Sequence, residues 1–93
     1  MEFATRHNEG KPKWSLVDFK ALEGLVRVLE FGSAKYGDYN YKKGFPRKEI
    51  MDSLLRHIFA ILNGEEIDPE SGLSHVAHIQ ANAMFLGLTN NVN

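Results

Sequence analysis

The chain has 93 residues, 43% apolar and 25% charged, with 11 Lys and Arg against 12 Asp and Glu. That size suits one small core, the composition excludes a disordered or fibrous chain, and a formal net charge of -1 gives no global field for duplex nucleic acid. Cysteine is absent, which excludes disulfides and thiolate chemistry and leaves His and carboxylates as metal-ligating side chains.

Residues 1–13 are polar, are broken by Gly10 and Pro12, and read as a flexible arm whose Lys11 and Lys13 can still reach a ligand. They hold no apolar stretch of signal-peptide type, and no later run has the length to span a bilayer. A cytoplasmic chain with no membrane partner is expected.

Residues 14–90 read as one helical domain. Ser15 as N-cap, with Asp18 three positions on, predicts a first helix over about 15–30. Leu16, Phe19, Leu22, Leu25, Val26 and Leu29 place one apolar stripe along it. The stretch from Gly32 to Gly44 is rich in Gly, Tyr and Lys, which suits a turn-rich loop. There Tyr36 and Tyr41 could stack a base, Lys35 and Lys43 pair with phosphates, and Asn40 lies among them; a solvated connection with its aromatics tucked inward is the other reading.

Pro46 suits the entry to a second helix and Gly64 its stop. Ile50, Leu54, Ile58 and Ile61, with Met51 and Leu55 alongside, form its expected buried stripe. An acidic connection, Gly64 to Gly72, follows, and Asp68 or Ser71 is the expected cap of a third helix ending near Leu88. The expected fold is therefore all-α: a small antiparallel bundle of about three main helices with a Gly/Tyr/Lys-rich loop.

The third helix is apolar almost all round, apart from His75, His78 and Asn82, which fall on one strip at i, i+3 and i+7. Such a helix is buried on several sides, and 93 residues can hardly surround it, so a homo-oligomer with shared sites is expected. Buried imidazoles and amides cost roughly 1–3 kcal/mol each unless paired. Arg56 and His57 on the second helix, and Glu65, Glu66, Asp68 and Glu70 in the connection, can supply partners. Either these groups satisfy one another, or they hold a ligand or metal. Glu65, Asp68, His75 and His78 suit Zn, Mn or Fe by type, although their spacing fits no closed zinc pattern.

Lys11-Pro12, the Phe31–Gly37 turn with Asn40-Tyr41 and Lys43-Gly44, Leu55-Arg56-His57, Gly64-Glu65, Asp68–Gly72, His75, His78 and Asn82 together resemble the phage dATP/dGTP diphosphohydrolase N-terminal domain family. The likeness spans about residues 10–88. It implies a phage protein connected with purine deoxynucleotides, related to the all-helical MazG-like pyrophosphohydrolases. Those enzymes use Mg²⁺ held by two carboxylate pairs at i, i+3 spacing on facing helices. Here only Glu49 and Asp52 have that spacing, at the start of the second helix, where the helix dipole alone favours acids.

Two functions are expected, the first from the resemblance and the second from the cations, tyrosines, histidines and Asn82 as nucleotide-binding groups. One is a dATP/dGTP pyrophosphohydrolase needing a divalent ion, Mg²⁺ or Mn²⁺. Glu65, Asp68, His75 and His78 would serve as metal ligands, with Glu65, Asp68 and His78 catalytic, while Lys11, Lys35, Tyr36, Asn40, Tyr41, Lys43, Arg56, His57, His75 and Asn82 bind the nucleotide. The other is a sponge that sequesters a nucleotide immune signal without turning it over.

Overall fold

The computed structural model describes residues 2–90, so Met1 of the expected arm lies outside them. Three α-helices carry the fold: α1 (Glu23–Tyr36), α2 (Arg47–Leu62) and α3 (His75–Asn90). Single 3₁₀ turns form at Trp14–Leu16, Phe19–Leu22 and Asn40–Lys43. The described residues contain no strand, only one isolated antiparallel bridge between Ile67 and Ser74. The all-α bundle expected from the sequence is the fold observed.

The first helix begins later and ends later than its apolar stripe suggested. Trp14, Leu16 and Phe19 remain exposed, so no tertiary packing sustains a helix there, and the chain makes two short turns instead. Asp18, not Ser15, supplies the capping oxygen, accepting from the Lys20 N–H at 3.1 Å. At the far end α1 continues through Gly32 and Ser33. It stops at Gly37, whose φ of 90° favours glycine and whose N–H reaches the Ser33 carbonyl at 2.8 Å. The expected loop therefore shrinks to residues 37–46.

Pro46 does precede α2 as its cap residue, and Gly64, at φ 88°, closes the turn after it. Asp68 and Ser71 do not cap α3. Ser74 does, its hydroxyl accepting from the Ala77 N–H at 3.0 Å. Asp68 instead shapes the connection: its carbonyl accepts from Gly72 N–H and its own N–H donates to the Leu73 carbonyl, both at 2.8 Å. The acidic loop is thus tied down immediately before α3.

Helix α3 packs against both α1 and α2. It meets α2 antiparallel: Arg47 donates to Thr89, Ser53 meets Asn82, and His57 meets His75. The buried side chains include Ile50, Ala77, Ala81, His75 and Asn82. The strip of polar residues on α3 therefore lies inside the α2–α3 seam, where it needs partners. Met51 and Leu55, expected in the core, are on the open side of α2. The Cα radius of gyration is 16.8 Å, against about 12 Å for a compact domain of this length.

Candidate functional site

A groove of about 1070 Å³ opens between the C-terminal half of α1 and the middle of α2, floored by the start of α3. That is at the upper end of small-molecule sites, roughly 300–1,000 Å³, and ample for a nucleotide. Of the thirteen residues expected at a site, ten line it. Lys35, Tyr36, Asn40 and Tyr41 come from the end of α1 and the following loop, and Arg56 and His57 from α2. Glu65 and Asp68 come from the acidic connection, and His75 and His78 from α3.

Three lie elsewhere. The backbone N–H of Lys11 closes a turn onto the Asn8 carbonyl in the exposed N-terminal segment. Lys43 ends the 3₁₀ turn within the loop and does not line the groove. Asn82 is 8% exposed, and its amide donates to the Ser53 hydroxyl at 3.3 Å and to the His78 carbonyl at 2.9 Å. Its hydrogen bonds hold the seam beneath the groove. Glu49 and Asp52 are exposed in the first turns of α2 and do not line it either.

The groove floor is a connected imidazole–carboxylate network. His75, 3% exposed, places Nε2 at 2.8 Å from Glu65 Oε1 and Nδ1 at 2.8 Å from His57 Nδ1. His57 in turn stacks on His78, with centroids 4.5 Å apart. His78 Nε2 lies 2.7 Å from Ser71 Oγ and 3.4 Å from Asp68 Oδ2, so the hydroxyl is its principal partner. Ser71 has one proton, and the Asp68 carboxylate, 2.9 Å away, can only accept it. The Ser71 oxygen therefore accepts from the Leu73 N–H and from His78, which fixes the proton of neutral His78 on Nε2.

The network sets the charges. Burial, then the neighbouring His78 and His75, hold His57 below the ordinary histidine range, with Asp68 opposing. Burial also lowers His78, against the pull of Asp68. For Asp68 itself burial acts upward. The Ser71 hydroxyl, the Glu70 N–H and His78 outweigh it and hold the carboxyl below its usual value. At neutral pH the floor thus presents uncharged His57 and His78 beside an ionised Asp68.

The walls carry positive charge and aromatic rings. Arg56 makes no hydrogen bond or ion pair with the described residues, whereas Lys35 Nζ lies 3.2 Å from Glu70 Oε1 and 4.8 Å from the Phe31 ring centre. Tyr41 packs on Phe85 at 5.5 Å and meets Tyr39 edge-on at 6.5 Å. Metal ligation is less well served: Glu65 pairs with His75, and Asp68 with Ser71 and His78. Among the described residues no group of three or more His, Asp or Glu is placed to share one ion.

Ser71, Ser53 and Tyr39 belong to this site without having been expected there as site residues. Asp68-x-x-Ser71 ahead of a glycine is a side-chain turn signature, which was legible, but its acceptance from a histidine seven residues on was not. Ser53 carries no local signal. Tyr39 adopts φ 62°, a left-handed conformation rare outside glycine and asparagine, and Lys42 lies 4.3 Å from its ring centre.

Residues 2–91 match the family model described as dATP/dGTP diphosphohydrolase, N-terminal. The chain belongs to that family. A Salmonella phage PMBT28 protein named dATP/dGTP diphosphohydrolase is 34% identical over 81 residues, which are 87% of this chain and 28% of that relative. The chain thus spans little more than a quarter of the relative's length. No solved structure matches it.

Proposed function

We propose that the chain binds a purine deoxynucleoside triphosphate in this groove, in the cytoplasm of a phage host, and opens it to monophosphate and pyrophosphate. The observation that carries the reading is the uncommitted Arg56 guanidinium in a groove walled by tyrosines and floored in part by the uncharged His57 and His78. Arg56 pairs with phosphate oxygens in a forked geometry, Lys35 adds a point charge, and Tyr36 and Tyr41 cover the base. A charge-assisted hydrogen bond of this kind contributes about 1.5–3 kcal/mol, so the two cations supply about 3–6 of the roughly 8 kcal/mol that micromolar retention needs, and stacking adds to them.

The family description and the relative's name support a dATP or dGTP substrate. A divalent ion would neutralise the phosphates and the leaving pyrophosphate. The four expected ligands are engaged in separate pairs, so no step is assigned to an ion held by them.

That same pairing favours a second reading, in which the groove retains a nucleotide without cleaving it. One experiment separates the two. The protein is mixed with dATP, dGTP and a panel of ribo- and cyclic nucleotides, with and without Mg²⁺ or Mn²⁺, and bound and free nucleotides are separated by chromatography. Monophosphate and pyrophosphate are the expected products. Depletion of a nucleotide that returns intact on heating would establish the sponge, and binding of no purine nucleotide would end both readings.

A further inference from the structure

The groove differs in chemistry between its two ends. Along the antiparallel seam Arg47 meets Thr89 and Ser53 meets Asn82, so Phe85 on α3 stands level with about Ile50 on α2. Tyr41 and Phe45 pack on Phe85 there, with ring centres 5.5 and 5.2 Å away, and make that end aromatic. Arg56 comes six residues after Ile50, roughly 9 Å along the axis at 1.5 Å per residue, and makes the other end cationic. Lys35, tied to Glu70 of the acidic connection, lies at that end as well. A deoxynucleoside triphosphate has the same polarity, with an aromatic base at one end and phosphates at the other.

Asn40 precedes Tyr41 at the aromatic end, and its surroundings are fixed. The Asn40 N–H donates to the Gly37 carbonyl at 3.4 Å and the Lys42 N–H to the Tyr39 carbonyl at 2.9 Å. Asp38 accepts from the Ser33 hydroxyl, and Tyr41 is held on Phe85. The Asn40 carboxamide, half-buried and lining the groove, makes no hydrogen bond with the described residues. Such an amide offers an oxygen acceptor beside N–H donors. The Hoogsteen edge of adenine offers the complement, an N6 donor beside the N7 acceptor, whereas guanine places two acceptors, O6 and N7, on the same edge. Given the nucleotide reading above, on which this rests, we infer that Asn40 reads the Hoogsteen edge of the purine and makes the groove prefer adenine over guanine. With adenine against Tyr41, the amide oxygen accepts from N6–H and the amide N–H donates to N7. With guanine, either orientation of the amide sets its oxygen against O6 or N7, and one of the two bonds is lost to repulsion between acceptors.

The assignment is tested by titration calorimetry of the full chain with Mg²⁺ and the α,β-imido analogues of dATP, dGTP and 7-deaza-dATP, which resist cleavage at the α-phosphorus. The 7-deaza base has a carbon in place of N7. In the wild type the dATP analogue should bind about 10–100-fold more tightly than the dGTP analogue. The 7-deaza analogue should bind about 3–10-fold more weakly than the dATP analogue, a comparison that needs no variant. Asn40→Ala should bring the dATP and dGTP analogues close together in affinity and should bind the dATP and 7-deaza-dATP analogues alike. A wild type that binds both bases without preferring adenine, or that binds the 7-deaza analogue as tightly as the dATP analogue, overturns the assignment and leaves nucleotide binding intact. An Asn40→Ala chain that keeps the wild-type preference does the same. A wild type that binds none of the three ends the nucleotide reading, and the role of Asn40 with it.

Discussion

His57 and His78 lie face to face across the α2–α3 seam, their ring planes within 5° of parallel. Two imidazoles stacked this closely resist being charged together, and burial adds to that resistance. Both folded-state pKa values therefore lie below the ordinary 6.5. The unfolded chain then takes up more protons than the folded chain as pH falls, so stability is full above 6.5 and declines as pH drops through the lowered values. Asp68, also lowered, adds a second loss below its ordinary 3.8. The groups facing the pair are His75, Asp68, Arg56 and Glu70. The melting temperature should fall between pH 7 and pH 5, and His57→Gln should flatten that decline; an equally steep profile in the variant would count against this account.

At the α1–α3 crossing, a Cβ on Gly24 would stand 2.8 Å from the Cβ of Ala77. That neighbour is fixed to a buried backbone and has no flexible end to swing away. Overpacking of this kind costs typically about 1–3 kcal/mol, against roughly 1 kcal/mol gained in helix propensity. Gly24→Ala should therefore destabilise by about 1 kcal/mol, and by much less in an Ala77→Gly background. Urea unfolding of the four chains of this cycle measures the coupling.

Arg56 and Lys35 should differ in what they contribute to a bound triphosphate. Arg56 is uncommitted, whereas Lys35 is exposed and already tied to Glu70. Arg56→Ala should raise the Kd for dATP by about 10–100-fold, from the strength of a charge-assisted bond. Lys35→Ala should raise it less. Lys43→Ala, outside the groove, should leave it unchanged. Titration calorimetry at fixed ionic strength ranks the three, and equal effects from Arg56 and Lys43 would mean that the groove is not the binding place.

Much of this was legible from periodicity and punctuation. The strip of His75, His78 and Asn82 was readable because polar side chains at i, i+3 and i+7 on an apolar helix must meet partners, and α2 supplies them through His57 and Ser53. The bounds of α1 were not readable. Leu16 and Phe19 carry the right spacing, but spacing sustains a helix only where a neighbour covers the stripe, and none covers it there. Nor did the sequence distinguish four convergent metal ligands from two pairs, since Glu65 and Asp68 lie in a loop whose path depends on the backbone bonds of Asp68, Gly72 and Leu73.

The open side of α2 gives the last expectation. Met51, Leu55, Phe59 and Leu62 fall at i, i+4, i+8 and i+11, a single stripe, and all are exposed, Leu62 by 73%. A helix apolar on this side as well as on its core side has more apolar surface than this chain covers. Fully burying a side chain of this type contributes about 1.5–3 kcal/mol. Covering the surface these four still expose on two protomers therefore contributes about 6–13 kcal/mol, enough to meet an association cost of about 4–15 kcal/mol over much of its range. The chain, 10.5 kDa as a monomer, should therefore run as a homo-oligomer in light scattering at micromolar concentration. Leu55→Glu with Phe59→Glu should dissociate it while leaving the groove intact. A wild type that stays at monomer mass at every concentration would show that this stripe does not drive self-association.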